Sequence, residues 1–348
     1  MRSNKNIIPL DKYITKALYD KKDGYYMKKN PFGLKGDFIT SPNISILFSE
    51  IITVWIILYW KSLNSPKKIN IVEMGAGNAE MMHQIIKTSL KFSFFSKACN
   101  YYIYEKSPVL EKIQKKKLNK YNIKWIKSFK NLNKAPTLFI GNEFFDALPI
   151  KQFIKKEGIW FEKYVDLSFK KKKLIEIKTD IKKYEKNVGI NFSKKQNFIE
   201  FSPLTFQIIQ KISKILKKLE GGLLIIDYGY LEDKMFDTLQ AVKKHKKTNI
   251  FDDKKNKDIS YMLNFKLIKK IVQKFNLSVN GTSSQRNFLI SLGIIERAEM
   301  ISKKLAFSKK ADIYYRLKRL IDKNQMGELF KVMFVSKNNN FKTGFKSD

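Results

Sequence analysis

Hydrophobic and polar positions along this chain repeat with two periods that take turns. From 66 to 142, short apolar runs at 69–74, 101–105, 123–127 and 137–141 read as strands. Between them the apolar residues fall at helical spacing. Met81, Met82, Ile85 and Ile86 predict a helix over 78–90, and a second is expected over 108–119. Strand and helix in alternation imply an α/β fold, with a parallel sheet covered by helices. A ligand of such a sheet lies at the C-terminal ends of the strands.

The flanking segments are less regular. Residues 1–20 read as an amphipathic helix with Ile8, Tyr13, Ile14 and Leu18 on its apolar face. Asp23-Gly24-Tyr25-Tyr26 signals a turn. A helix over 43–60 carries Ile44, Leu47, Phe48, Ile51, Ile52 and Trp55, with Thr40 or Ser41 as its cap and Pro42 in its first turn. Residues 150–177 alternate in short segments and predict inserted antiparallel strands, whereas the Lys-rich stretch 178–195 predicts loop. A helix over 203–219, a fifth core strand at 223–227, a helix near 264–275, a strand near 277–283, helices near 287–304 and 308–322 and a last strand at 330–335 complete the pattern. The expected division is an N-terminal helical lid over 1–65, and a core of 66–149, 197–231 and 264–337. An antiparallel insert over 150–196, a polar lobe over 232–263 and a flexible tail over 338–348 make up the rest.

Candidate chemistry gathers where the first strand ends, at Glu73-Met74-Gly75-Ala76-Gly77-Asn78-Ala79-Glu80. Gly75 and Gly77 let the backbone turn tightly and approach a ligand, since neither has a Cβ. A dinucleotide fingerprint wants a third glycine where this chain has Glu80, an anion where pyrophosphate would sit. Glu73 precedes the turn. Carboxylates around a strand–turn–helix suit a cationic, phosphate-free ligand such as S-adenosylmethionine, although an ordinary αβ turn is the other reading. The second strand ends in Glu105, where a carboxylate can take both ribose hydroxyls. The fourth is followed by Asn142-Glu143-Phe144-Phe145-Asp146-Ala147-Leu148-Pro149.

Composition narrows the partners. The formal net charge is +37, from 69 basic and 32 acidic residues among 348, which invites a nucleic-acid reading. Only Arg2, Arg286, Arg297, Arg316 and Arg319 are arginines, however, and readers of phosphates and bases lean on Arg. The lysine runs at 170–173 and 243–247 therefore read as solvated faces, of the kind an AT-rich genome produces, and no specific nucleic acid is expected. One cysteine, Cys99, excludes an internal disulfide, and two histidines, His83 and His245, exclude a three-His metal site. No metal is expected. Neither a signal peptide nor a membrane span is apparent: the most apolar stretch, 51–60, is shorter than the roughly 20 residues a spanning helix needs.

The blocks Asp23-Gly24-Tyr25-Tyr26, Gly36-Asp37-Phe38-Ile39-Thr40-Ser41-Pro42, Glu73-x-Gly75-x-Gly77, Glu105-x-Ser107-Pro108, Asn142 to Pro149, Asp227-Tyr228-Gly229-Tyr230, Asp237-Thr238 and Gln285 with Phe288-Leu289 follow one another in an order that covers nearly the whole chain. In this the chain resembles the MidA-like S-adenosylmethionine-dependent methyltransferases, whose mitochondrial members assist assembly of respiratory complex I. It departs from that pattern at Met74, Ala76, Asn78, Ala79 and Glu80, and the segment Asp258-Ile259-Ser260 matches only loosely.

The resemblance implies a Rossmann-like class I methyltransferase sheet with a helical N-terminal lid and inserted β-rich and polar lobes. It implies S-adenosylmethionine as cofactor and methylation of an arginine on a protein, with a complex I core subunit as candidate substrate. Cofactor contacts are expected from Glu73, Gly75, Gly77, Glu105, Asn142 and Gly36. Glu143 is expected to orient the arginine, assisted by Asp146 and Asp37, with the Gly36–Pro42 segment closing over the crevice. Structural capping of the turn after the fourth strand is the other role open to Glu143 and Asp146. A nucleic-acid methyltransferase and a non-catalytic, cofactor-binding assembly chaperone stand as alternative functions. The expected setting is the bacterial cytoplasm, or the mitochondrial matrix in a eukaryote, and a homodimer is compatible with the pattern.

Overall fold

Every residue of the strand Ile69–Met74 is buried, and its side chains part by a period of two: Ile69 and Ile71 enter one apolar core, Val72 and Met74 another. A strand buried on both faces needs cover on both, which is why it carries apolar residues toward each core; Asn70 and Glu73 are its polar members, and both are buried. This computed structural model describes residues 6–28, 31, 40–168, 172–243, 246–251, 257–338 and 340–345. The central sheet comprises β1 (Ile69–Met74), β2 (Cys99–Tyr104), β3 (Ile123–Ile126), β4 (Thr137–Asn142), β5 (Gly221–Tyr230), β6 (Ser278–Ser284) and β7 (Phe330–Ser336). Their order is β6-β7-β5-β4-β1-β2-β3, and the short strand Leu263–Asn264 pairs with the end of β5. β1 to β5 pair in parallel, and β7 runs antiparallel to both β5 and β6.

The chain leaves β1 toward β2 on one side and returns to β4 on the other. Between β1 and β4 the connections diverge, which opens a crevice at their C-terminal ends. The register decides what meets there. Met74 lies opposite Tyr104 of β2 and Gly141 of β4, so Gly75, Glu105 and Asn142 emerge side by side.

The helix Ile46–Ser62 is buried nearly all round and packs on one face of the sheet. Its Trp55 ring meets Phe334 of β7 at 4.9 Å. Its buried Glu50 takes a two-pronged bond from Arg297, Nε to Oε2 at 2.9 Å and Nη2 to Oε1 at 3.2 Å. The helices Pro203–Leu219 and Phe265–Lys274 cover the other face. Lys151–Lys156, Ile159–Asp166, Lys173–Lys178 and Phe198–Phe201 form a separate antiparallel sheet, and Ile7–Pro9 joins it ahead of the N-terminal helix Leu10–Tyr19.

Several sequence expectations are corrected. Residues 178–195 are not loop throughout, for Ile181–Val188 is a helix. Asp180 caps it by accepting from the Lys182 and Lys183 backbone N–H groups, and Gly189 ends it at φ +68°. Its Ile181, Tyr184 and Val188 pack on the core, a helical spacing that the intervening lysines mask. The helix expected over 287–304 breaks at Gly293, φ +84°, into Gln285–Ser291 and Ile294–Ser302. Ser93–Ala98 adds a short helix before β2, and part of the polar stretch 232–262 forms a three-stranded sheet with its neighbours: Gln240–Lys243, Lys246–Thr248 and Asp258–Ser260. Among the described residues no helix is long and apolar enough to cross a membrane.

Candidate active site

β1 delivers the chain into two left-handed residues, Gly75 at φ +67° and Gly77 at φ +52°. Both favour glycine. At Gly75 space demands it as well, because a Cβ there would lie 2.8 Å from Cδ2 of Phe144. The Gly75 N–H donates to the Tyr104 carbonyl at 2.9 Å, which pins the turn to the end of β2. Asn78 Nδ2 donates to Asn43 Oδ1 at 2.8 Å, tying the turn to the segment that leads into the N-terminal helices. Glu80, one of the departures from the family pattern, opens the helix Glu80–Ser89 and forms an ion pair with Lys117. A carboxylate in the first turn is where the helix dipole favours one.

Glu105 follows β2 and is buried. Its Oε1 accepts from the Ser107 N–H at 2.9 Å and its Oε2 from Gln114 Nε2 at 3.0 Å. Gln114 also donates to the Gly77 carbonyl at 2.9 Å and accepts from Trp125 Nε1 at 3.0 Å. One fully buried amide thus fastens the glycine turn to the carboxylate beside it. Sequence reading missed Gln114, although a polar residue one turn after Leu110 on the buried face of Pro108–Lys117 was a usable signal.

Three more carboxyls follow. Glu73 is only 3% exposed, and burial pushes its carboxyl up to about 8. Glu143 sits at φ +50° and is half-buried. Its Oε1 accepts from the Ser41 N–H at 3.1 Å and from Asn142 Nδ2 at 3.4 Å, and burial pushes it up to about 7. Asp146 is held well above the usual carboxylate range by burial and by the neighbouring Asp227. Asp227 caps the turn after β4. Its Oδ2 accepts from the Phe145 and Asp146 N–H groups at 3.0 and 3.3 Å. Glu73 Oε2, Asn142 Oδ1 and Asp146 Oδ1 are buried and have no hydrogen-bond partner among the described residues.

These groups surround one crevice in two compartments that share Gly75, Gly77 and Glu143. The larger is walled by Tyr19, Tyr26, Tyr104, Glu105, Leu110 and Phe144. The smaller is lined by Thr40, Asn43, Glu73 and Asn142. Glu73, Gly75, Gly77, Glu105, Asn142 and Glu143 are therefore brought together. Asp146 lies behind them and lines neither compartment. Gly36 and Asp37 lie outside the described residues. Two groups escaped the sequence reading of this site: the aromatic pair Tyr19 and Tyr26, and the buried Asp258, whose Oδ1 accepts from the Tyr26 hydroxyl at 2.7 Å.

This donor set suits a cation with an aromatic appendage. The unpartnered oxygens of Glu73 and Asn142 in the polar compartment suit ammonium or sulfonium groups, because a buried acceptor without a donor is costly. Glu105 keeps lone pairs for a pair of ribose hydroxyls, and the aromatic compartment suits a flat base. Among the described residues no group of three or more His, Cys, Asp and Glu could hold a metal ion.

A family model described as "Putative S-adenosyl-L-methionine-dependent methyltransferase" matches residues 51–283. That span runs from inside the first core helix into β6 and holds the glycine turn, Glu105 and the Asn142–Pro149 block. The chain belongs to this methyltransferase family. Protein arginine methyltransferase NDUFAF7, mitochondrial, of Xenopus laevis is 26% identical over 98% of this chain and 83% of its own length. The Caenorhabditis elegans homolog of the same name is 31% identical over 79% and 70%. A crystal structure of a protein from Burkholderia thailandensis bound to S-adenosyl-homocysteine superposes with a TM-score of 0.83 at 20% identity, over 97% of this chain and 90% of that one, and so shares the fold. The methyltransferase uses S-adenosylmethionine as its cofactor, and the crevice between β1 and β4 is where its residues fit it.

Proposed function

We propose that this methyltransferase transfers a methyl group to a guanidinium nitrogen of an arginine on a protein. The observation that carries the reading is the run of acidic and amide oxygens from Glu73 to Asp146, three of them buried without a partner, at the C-terminal ends of β1 and β4. The name of the relatives, protein arginine methyltransferase, supports the same acceptor. In our assignment Glu73 and Asn142 hold the amino-acid end of the cofactor, Glu105 its ribose, and Gly75 and Gly77 the close backbone contact. Glu143, which faces both compartments, receives the guanidinium.

When bound, the cofactor supplies a methyl group on a positively charged sulfur. The chain's own task is to place a nitrogen in line with that methyl and to keep water away. Two N–H groups of a guanidinium match the two oxygens of a carboxylate, which makes Glu143 an orienting group rather than a strong base. The nitrogen loses its proton as its new bond forms. With its carboxyl near 7, Glu143 can take that proton at neutral pH and pass it to solvent. Asp146, with Asp227 behind it, adds negative potential without contact. For the substrate we propose a core subunit of respiratory complex I, and for the setting the compartment in which that subunit is assembled.

The test is single-turnover transfer of labelled methyl with cell protein and cell RNA as acceptors, followed by hydrolysis of the protein to show which amino acid carries the label. Label in methylarginine is expected. Glu143→Gln keeps the shape and removes the charge. It should slow transfer by about 100-fold or more while leaving S-adenosylhomocysteine affinity near normal. Unchanged turnover would reduce Glu143 to an anchor for Ser41, and label confined to RNA would point to a nucleic-acid methyltransferase.

A further inference from the structure

The segment that leads into the helix Ile46–Ser62 makes one helical turn of its own, Ser41–Ile44, and a single turn is too short to hold itself. Its place is set from outside. Toward the glycine turn, Asn43 Oδ1 accepts from Asn78 Nδ2. Toward the end of β4, the Ser41 N–H donates to Glu143 Oε1 at 3.1 Å. Behind it stand two helices from the C-terminal part of the chain, Gln285–Ser291 and Phe307–Ile321. The Ser41 hydroxyl lies 3.5 Å from Oε1 of the fully buried Gln285, whose Nε2 donates to the Leu320 carbonyl at 2.9 Å. Arg316 holds the other end of the turn, its Nη1 donating to the Ile44 carbonyl at 3.0 Å.

Arg316 serves two partners at once. While Nη1 reaches Ile44, its Nε donates to Asp312 Oδ2 at 2.8 Å, one helical turn away. Asp312 thereby fixes the guanidinium on the helix surface with its far edge aimed at the turn. A guanidinium spreads its donors over a rigid plane, whereas an ammonium is a single point that the carboxylate would draw away from the carbonyl. In a chain with 69 basic residues and only five arginines, this position has a geometric task that lysine does not perform. The side chain is 46% exposed and lines neither compartment, so it belongs neither to the core packing nor to the crevice. Its reach into the site runs through the turn. Glu143 stands at φ +50°, and its carboxyl is held by the Ser41 N–H and, at 3.4 Å, by Asn142 Nδ2. A shift of the turn therefore passes to Glu143 through one hydrogen bond.

We infer that Arg316 is a positioning residue for methyl transfer: from outside the crevice it locks the Ser41–Ile44 turn, and through the Ser41 N–H it holds Glu143 where the acceptor meets it. This rests on the assignment of Glu143 to the acceptor guanidinium.

The experiment is a double-mutant cycle on single-turnover methyl transfer to cell protein. Arg316→Met keeps a long stem and removes both hydrogen bonds. It should slow transfer by about tenfold, as the loss of one well-placed hydrogen bond implies, with S-adenosylhomocysteine affinity within about threefold of the wild type. Arg316→Lys keeps the charge but satisfies one partner only, and should remain about as slow. Placed in Glu143→Gln, Arg316→Met should slow transfer by less than about twofold more, because the charge it positions is already gone. A merely structural role would slow both backgrounds by the same factor. Should Arg316→Met fail to fold, Asp312→Ala carries the test: it leaves the arginine in place but unbraced, and should slow transfer by about threefold in the wild type and not in Glu143→Gln. Equal slowing in the two backgrounds, a wild-type rate in Arg316→Met, or full recovery in Arg316→Lys would overturn this inference and leave Glu143 as the partner of the acceptor. A wild-type rate in Glu143→Gln itself, or a wild type that labels no arginine, would overturn the inference together with the reading it rests on.

Discussion

Gly75 offers the sharpest test of where the cofactor sits. Gly75→Ala adds a single carbon, and two separate penalties follow from the structure. The backbone at φ +67° disfavours any L side chain, at a cost of about 1–2 kcal/mol in stability. The new Cβ also falls 2.8 Å from Cδ2 of Phe144, whose ring must retreat by about 0.6 Å to reach ordinary contact at 3.4 Å. That ring is braced edge-on against Phe145 at 5.2 Å and Tyr104 at 6.4 Å, so it moves into the compartment rather than away from it. Affinity for S-adenosylhomocysteine, measured by calorimetry, should fall at least about tenfold, or about 1.4 kcal/mol. Gly158→Ala separates the two penalties. Gly158 turns a hairpin at φ +81° with nothing within 4 Å of an added Cβ, and it lines neither compartment. It should lose a few degrees of Tm, as Gly75→Ala does, while binding the ligand as the wild type does. If Gly75→Ala bound with wild-type affinity, the glycine turn would not be the cofactor site, and the whole assignment of the crevice would fail with it.

Two further outcomes follow from the buried groups. With Glu73 pushed up to about 8, binding of a cationic ligand at neutral pH should favour its ionised form and release a proton, visible as calorimetric heats that depend on the buffer, and Glu73→Gln should abolish that release. The sign for stability is the opposite of a salt-bridged acid: the folded protein keeps a proton that the unfolded chain has lost above the ordinary value of 4.5. Tm of the ligand-free protein should therefore fall as pH rises toward about 8 and level off above it, with a shallower slope in Glu73→Gln. Gln114→Leu removes the amide that joins the Gly77 carbonyl to Glu105; cofactor affinity should drop by about tenfold, and unchanged affinity would show that the turn and Glu105 hold their places unaided.

Much of this protein can be read from local chemistry. β1 and β4 announce themselves by Ile69, Ile71 and Val72 and by Leu138, Phe139 and Ile140, because a central strand must bury both faces. The Gly75–Gly77 turn is legible because φ constraints act on single residues, and Ser202 and Ser107 mark helix starts because each hydroxyl accepts an N–H three residues on. The helix Ile181–Val188 escaped because its signal is three apolar residues among lysines, and it is packing against the core that makes those three decisive. Roles among like residues were not legible at all. Asp146 and Asp227 are equally acidic in sequence, yet three-dimensional packing gives the capping of the turn to Asp227 and leaves Asp146 behind the crevice with a bare oxygen. Gln114 and the Tyr26–Asp258 pair depend on partners that only folding supplies, the latter across 232 residues of chain. Periodicity and backbone freedom are properties of neighbouring residues and are written along the chain. Which buried polar group finds a partner, and which is left for a ligand, depends on distances between strands and lobes, and these exist only once the sheet has closed.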